Sequence, residues 1–512
     1  MLIHKKGDEM LDIKPSKNEL KELVKNSDKK YVVPLYYEII ADLETPVSAF
    51  YKVCENKKYS FLLESVEGGE NFGRYSYIGI DPLYILKSDK SGAVIFNPAN
   101  DEILNRSNNP FNLLKEFLSE YSSANYDLPY SPGAVGYISY DSVRHIEPIL
   151  NNIFLNIEGC DSFPEAYLMI AGSTLAFDHV KHKIFIINSV LIDKSTDIEK
   201  IYTDSANKIE TILAKMQTSH NAQSLNLKSA QVNNKISSNF SKEEWINAVN
   251  TAKEHILAGD IFQVVLSQRF CVERNNIDTF TIYRSLRSIN PSPYLYYLNF
   301  KDFQIIGSSP EILVKCSTEK VASLRPIAGT RKRGVTIEED QTLREELLED
   351  PKEVAEHVML VDLGRNDLGR VCEYGSVKVK RFMDVEKYSH VQHIVTDITG
   401  QLQDNIDSID LVEACFPAGT VSGAPKIRAM EIIYNLEKAA RGPYAGCVGY
   451  FGFNNEVNTA ITIRTILVKD DKLFIQAGAG IVADSDPETE YIETQNKAAA
   501  LVQAINSIIS ES

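Results

Sequence analysis

The sequence predicts an α+β fold built on antiparallel sheets, and three observations carry that prediction. Strand-like runs dominate residues 31–213, among them Phe61-Leu-Leu-Glu-Ser65 and Lys183-Ile-Phe-Ile-Ile-Asn188. The second half mixes strands with helices, without the strict alternation that a doubly wound sheet requires. No internal repeat is present, so the chain is not a solenoid or a propeller.

Taken in order, residues 1–30 are polar and charged and read as an N-terminal extension with a frayed helix. Residues 31–216 form an N-terminal part. Residues 217–241 are rich in Ser, Asn and Gln and read as a polar linker. Residues 242–510 form a second part, expected to intertwine with the first. It opens at Ser241-Lys-Glu-Glu244, a capping box for a helix reaching about Ala258. Further strands are expected at 303–306 and 460–468, and helices at 352–362, 408–414, 424–436 and 488–508.

The 512 residues suffice for one large or two ordinary domains, and 44% hydrophobic content is that of a packed globular protein. No run approaches the roughly 18 apolar residues of a membrane helix, and the N-terminus has no apolar signal core, so no membrane partner is expected. A net charge of −16 argues against nucleic acid. The seven cysteines are scattered with no C-x-x-C, which reads as reduced thiols in a cytoplasmic protein.

Residues 416–428 read Phe-Pro-Ala-Gly-Thr-Val-Ser-Gly-Ala-Pro-Lys-Ile-Arg. Backbone N–H groups there, with Lys426 and Arg428, suit an anion. The spacing fails the P-loop pattern, because Ala-Pro separates Gly423 from Lys426. Gly478-Ala-Gly480 fails the dinucleotide pattern, because Ala483 stands where a third Gly is needed. Anion-binding loops without a nucleotide signature point to carboxylate chemistry.

Asp350-Pro351 and Asp486-Pro487 are matching helix starts, Asp as N-cap and Pro at the first helical position. The first helix carries Glu353 and Glu356, the second Glu490 and Glu493, each pair sharing one face. Two such faces together would suit Mg²⁺. Two simpler readings stand beside this one. Glu353 can complete a capping box, and Glu493 can pair with Lys497 on the surface.

Three stretches together resemble the chorismate-utilising enzymes. They are Asp350-Pro-Lys-Glu-Val-Ala-Glu-His-Val-Met-Leu-Val-Asp-Leu-Gly-Arg-Asn-Asp367, the 416–428 loop, and Gln476-Ala-Gly-Ala-Gly-Ile481 with Glu490-x-x-Glu493. Within that family the likeness is to the large subunits of anthranilate synthases. It spans about residues 31–510 and is densest from 240 onward. The resemblance implies two facing antiparallel sheets with helices packed outside. It also implies a Mg²⁺-dependent conversion of chorismate and ammonia to anthranilate and pyruvate, the committed step of tryptophan biosynthesis.

Carried over by position, Glu356 and Glu493 match the Mg²⁺ carboxylates, with Glu353 and Glu490 completing the cluster. Gly329, Thr330, Tyr444, Arg464, Gly478, Ala479 and Gly480 match substrate-binding positions. Glu311 matches the general acid for the departing hydroxyl, and His393 the histidine of the pyruvate-elimination step. Thr420, a substrate-facing hydroxyl, joins these two as catalytic.

Two positions discriminate within the family. Isochorismate-forming relatives have a lysine where Gln263 stands, and Gln cannot activate water. Aminodeoxychorismate synthases, the nearest rival, typically have a lysine nucleophile where Ala328 stands. A tryptophan-sensing protein without catalysis is the rival of another class. Leu62-Leu-Glu-Ser65 and Asn290-Pro-Ser-Pro-Tyr-Leu295 resemble the family's tryptophan site, which implies feedback inhibition by L-tryptophan through Ser65, Pro293, Tyr294 and Leu295. No cysteine has a Gly-x-Cys-x-Gly setting. The expected ammonia source is therefore a separate glutamine amidotransferase subunit, in a hetero-oligomer.

Overall fold

The computed structural model describes residues 11–25, 27–65, 73–124, 126–154, 163–219, 236–387, 391–437 and 439–509. Residues 1–10, most of the polar linker and Cys160 lie outside them. Two sheets dominate. In the first, the order runs from Gln263–Glu273 through Lys472–Ile481, Thr465–Lys469, Phe303–Ser309 and Tyr294–Phe300 to Tyr59–Glu64 and the N-terminal strands. In the second it runs from Ile327–Lys332 through Val391–Gln401, Val321–Leu324, Ile312–Cys316, Val457–Ile461 and Cys447–Gly452 to Gly133–Ile138 and beyond. Both sheets thus draw strands from either side of the linker: Phe61 pairs with Leu298, and Gly136 with Gly449. The ladders named here are antiparallel, and Lys30–Ile40 with Tyr121–Ser123 is a parallel exception.

The sheets face each other through aromatic and aliphatic side chains. Phe61, Tyr296 and Leu298 of the first pack against Val135, Tyr137, Met169 and Val448 of the second. Helices cover the outer faces. Ala498, Leu501 and Ile505 of Pro487–Ile509 join Val272 and Ile475 of the first sheet, and helices Pro110–Ser119 and Ser408–Cys415 cover the second. This is the expected α+β architecture, and burial of both faces explains the near-continuous apolar runs of many strands.

The expected helices form at Lys242–Leu257, Pro351–Gly369, Ser408–Cys415, Lys426–Glu437 and Pro487–Ile509. The capping box at Ser241 and Glu244 is present in full. Three helices in the strand-dominated N-terminal part, Pro46–Cys54, Pro110–Ser119 and Ile198–Met216, are additions to the sequence reading. Each has a capping residue that signals it: Thr45, Asn109 and Asp197.

Two local expectations are corrected. The run 460–468 is two strands in different sheets, Val457–Ile461 and Thr465–Lys469. The chain crosses between sheets at Arg464, whose φ is +50°. No Gly or Pro marks that corner, so the apolar run reads as continuous. Gly478-Ala-Gly480 lies within the strand Lys472–Ile481, paired with Ser267, Leu266 and Val265, rather than in a loop.

Candidate active site

The two Asp-Pro starts form as the sequence requires. Asp350 accepts from Lys352 N and Glu353 N, and Asp486 from Thr489 N, so each helix begins with its first carboxylates on a fixed face. Glu353 does not close a capping box. Its Oε1 takes Arg331 at 3.2 Å, and Arg331 also holds Asp350 at 2.7 Å. Burial raises the pKa of Glu356, and the neighbouring Glu353 charge adds to the rise. Burial likewise raises Glu490, with Glu493 adding to it. Lys352 and Lys497 act on both of these carboxyls, which places the two helix starts at one site.

A hard divalent cation fits this donor set. Carboxyls pushed up by burial and by like charge are those a cation would relieve. Among the described residues no three acidic, His or Cys side chains converge into a ready-made cage. Mg²⁺ asks for less, one or two carboxylates with the rest of its shell in water and substrate oxygens.

A β-bulge connects this site to His393. Gly329 interrupts the pairing of Ile327–Lys332 with Val391–Gln401 and has φ +67°. A Cβ there would stand 3.1 Å from Glu353 Oε2. The bulge sets Thr330 opposite His393, whose Nδ1 lies 3.0 Å from Thr330 Oγ1 and 2.9 Å from the Gly329 carbonyl. His393, Gly329, Thr330 and Glu353 are therefore one neighbourhood.

Glu311 follows Ser309 at the point where the chain leaves the first sheet for the second. The residue is half-buried, and burial pushes its pKa up to about 8; Thr420 and Lys497 pull the other way. Thr420 lies on the 3₁₀ turn Gly419–Val421. Its Oγ1 is close enough to act on Glu311, yet no hydrogen bond of good geometry forms, so a buried hydroxyl is left to spare. A cavity of about 50 Å³ separates these groups from Leu360, Leu363 and Gly364 of the Glu356 helix.

Tyr444 and Arg464 meet nearby. The Tyr444 ring is buried and its pKa is pushed up to about 12 by desolvation. Burial lowers the pKa of Arg464, and no carboxylate pairs with it among the described residues. A half-buried guanidinium without a counter-ion is suited to an anion. Gly478 must lack a side chain, because a Cβ would lie 2.9 Å from Tyr444 Oη and 2.7 Å from the Leu266 carbonyl. At Gly480 a Cβ would meet Gln263 Nε2 at 2.6 Å. Ala479 points away, into a core with Val264, Leu266 and Ile432, so only its backbone can serve the site.

The 416–428 loop differs from its sequence reading. Lys426 binds Asp367 at 2.9 Å, and Arg428 binds Asp260 and Glu431, so both cations are already paired. The loop is instead tied to the first sheet. Arg441, fully buried, bonds Glu437, Val421 O and Val265 O. Apart from its i,i+4 spacing, nothing local marks the Arg441–Glu437 pair.

Lys497, which the sequence reading named only as a surface partner of Glu493, also reaches the groups described here. Its pairing with Glu493, at 2.6 Å, is the expected i,i+4 ion pair. Its Nζ also donates to Gly478 O at 3.0 Å and its charge acts on Glu311, Glu356 and Glu490. The spacing was visible, but which way that face points was not.

The two expected effector segments lie side by side, since Glu64 pairs with Leu295 across adjacent strands. Ser65 Oγ is buried without a hydrogen-bond partner, and burial raises the pKa of Tyr294. Glu64 is held by Arg287 at 3.0 Å and by Tyr283 Oη at 2.5 Å.

Comparison with known proteins identifies the family. A profile of the family described as "chorismate binding enzyme" matches residues 59–503. Anthranilate synthase component 1 of Acetivibrio thermocellus is 47% identical over 499 residues, covering 96% of this chain and 98% of that protein. The component 1 of Aquifex aeolicus is 45% identical, covering 95% and 97%. Among solved structures, anthranilate synthase component I from Streptococcus pneumoniae TIGR4 superposes with a TM-score of 0.74 at 35% identity, covering 90% of this chain and 98% of its own. The menaquinone-specific isochorismate synthase MenF of Escherichia coli, at 18% identity and a TM-score of 0.68, shares the fold, covering 96% and 98%. The chain belongs to the chorismate-binding enzyme family, on the branch of anthranilate synthase component 1.

Proposed function

We propose that this chain converts chorismate and ammonia to anthranilate and pyruvate in the presence of Mg²⁺. The observation that carries the reading is Glu311, a carboxyl held up to about 8 by burial and so protonated at neutral pH. Ammonia attacks C2, the ring double bonds shift, and the C4 hydroxyl departs as water with the Glu311 proton. Loss of the C2 proton and of pyruvate then gives the aromatic product, with His393 serving this second step.

Glu353, Glu356, Glu490 and Glu493 would hold the metal, which would supply Lewis-acid pull on the ring carboxylate. Arg464, the Tyr444 hydroxyl and the strand backbone at Gly478 and Gly480 would hold the enolpyruvyl carboxylate. Gln263 donates to Glu356 at 3.4 Å and offers no base for water, and the buried Ala328 offers no nucleophile. Both support direct amination.

Burial raises the thiol pKa of all six described cysteines, which makes them poor nucleophiles for releasing ammonia from glutamine. A partner glutamine amidotransferase is therefore the proposed source. L-Tryptophan is the proposed feedback inhibitor, with its polar end at Ser65 and its indole against Pro293, Tyr294 and Leu295. The test of the catalytic reading is Glu311→Gln. It should lower anthranilate formation about 10²–10⁴-fold, the span of a positioned proton donor, while substrate still binds. Activity within a few-fold of wild type would remove Glu311 from the mechanism.

A further inference from the structure

A second cavity among the described residues lies away from the reacting groups. It encloses about 790 Å³ and shares no lining residue with the cavity beside Glu311. That volume is within the range of small-molecule sites. Tyr121, Tyr130, Tyr450 and Phe453 contribute ring surface, and Glu456 a carboxylate.

Glu456 is half-buried and its hydrogen bonds come from neutral groups, Asn454 Nδ2 at 2.9 Å and Tyr450 Oη at 3.4 Å. No Lys, Arg or His pairs with it among the described residues. Lys115, also on the lining, is committed to Asp407 at 3.2 Å and Asp410 at 2.5 Å. Beside Glu456, the Nδ2 of Asn455 is buried without an acceptor. A carboxylate set among aromatic rings attracts cations twice over, by its charge and through the ring quadrupoles. The fold already uses one of these rings so, since Lys30 Nζ lies 5.6 Å from the Tyr121 centroid. An anion of the same size would meet Glu456 and be repelled.

We infer that this cavity binds a small organic ammonium ion, its N–H groups donating to Glu456 and its hydrocarbon body against Tyr130, Tyr450 and Phe453. None of the residues assigned to chorismate or tryptophan lines the cavity, although Tyr450 packs in the same core cluster as Tyr294, and the inference does not depend on their assignment. Two probes of like shape and opposite charge test it: benzylammonium and phenylacetate, titrated into the purified full chain by saturation-transfer NMR. Benzylammonium should bind and receive magnetisation from tyrosine ring protons, and phenylacetate at the same concentration should not. Glu456→Gln should weaken benzylammonium about tenfold or more, as loss of a charge-assisted hydrogen bond does, and Glu456→Lys should abolish binding with unchanged thermal melting. Ser65→Arg should leave it untouched. Absence of benzylammonium binding to the wild-type chain, equal binding of phenylacetate, or full affinity in a folded Glu456→Gln variant would each overturn the inference. Should that variant fail to fold, a wild-type transfer pattern lacking tyrosine contacts would do the same.

Discussion

In the proposed mechanism the pH behaviour of the site rests on Glu311, with Lys497 acting on it. A carboxyl raised by burial binds its proton more tightly folded than unfolded, so its neutral form is favoured up to about pH 8 and is lost above it. Turnover that needs this proton should therefore fall as pH rises through about 8. The stability associated with the neutral form is fully present below the ordinary carboxyl pKa and declines as pH rises toward 8. Lys497 pulls the Glu311 pKa down. Lys497→Gln should thus move the alkaline limb of the kcat profile to higher pH, even as activity drops. A limb that stayed in place, or moved to lower pH, would mean another group controls it. The residue types of the site were legible, because Asp-Pro starts, glycines and a Gly-Thr pair are punctuation that sequence displays. Lys497 was not. Its partner at i−4 was plain, but the choice between surface and site depends on how the helix packs back onto the preceding strand, which carries Gly478.

At the scale of elements, the two capped helices are the clearest case of sequence dictating structure. Asp350 and Asp486 take the N-terminal N–H groups as expected, and the opening turns of each helix carry two of the four glutamates proposed to hold the metal. Glu356→Gln and Glu493→Gln should each lower Mg²⁺-dependent anthranilate formation by more than about a hundredfold, since losing a mere supporting group around a metal costs roughly 10–100-fold. Thermal melting should hold or rise, because each change removes one of several crowded like charges. Near-normal activity at limiting Mg²⁺ would dismiss these helices as the metal site. Strand assignments travelled less well from sequence. Residues 460–468 form one apolar run, yet Arg464 turns the chain from one sheet into the other. Gly478 and Gly480 looked like a loop because glycine is rare inside strands. They are there because Tyr444 and Gln263 occupy the space of a side chain.

The whole molecule joins its halves strand by strand, and this is where local patterns carry no information. Pairing of Phe61 with Leu298 spans nearly half the chain and that of Gly136 with Gly449 more than half, and nothing local specifies such partners. The same topology sets Glu64, next to Ser65, opposite Leu295 and brings Tyr294 within range of the Arg325 charge, on the segment that leads to Gly329 and Thr330. An effector bridging those strands can inhibit only if it binds the inactive arrangement more tightly, and a coupling of ~1–3 kcal/mol would suffice. Ser65→Arg should abolish inhibition by L-tryptophan and leave uninhibited turnover nearly unchanged. Full sensitivity in that variant would return Leu62–Ser65 to ordinary strand. The central claim is tested most directly by following anthranilate fluorescence from the purified chain given chorismate and Mg²⁺, first with ammonium and then with glutamine. The account predicts anthranilate and pyruvate in equal amounts with ammonium, and none with glutamine until a glutamine amidotransferase is added. Isochorismate or aminodeoxychorismate as the end product with ammonium, or glutamine-dependent turnover by the chain alone, would contradict it.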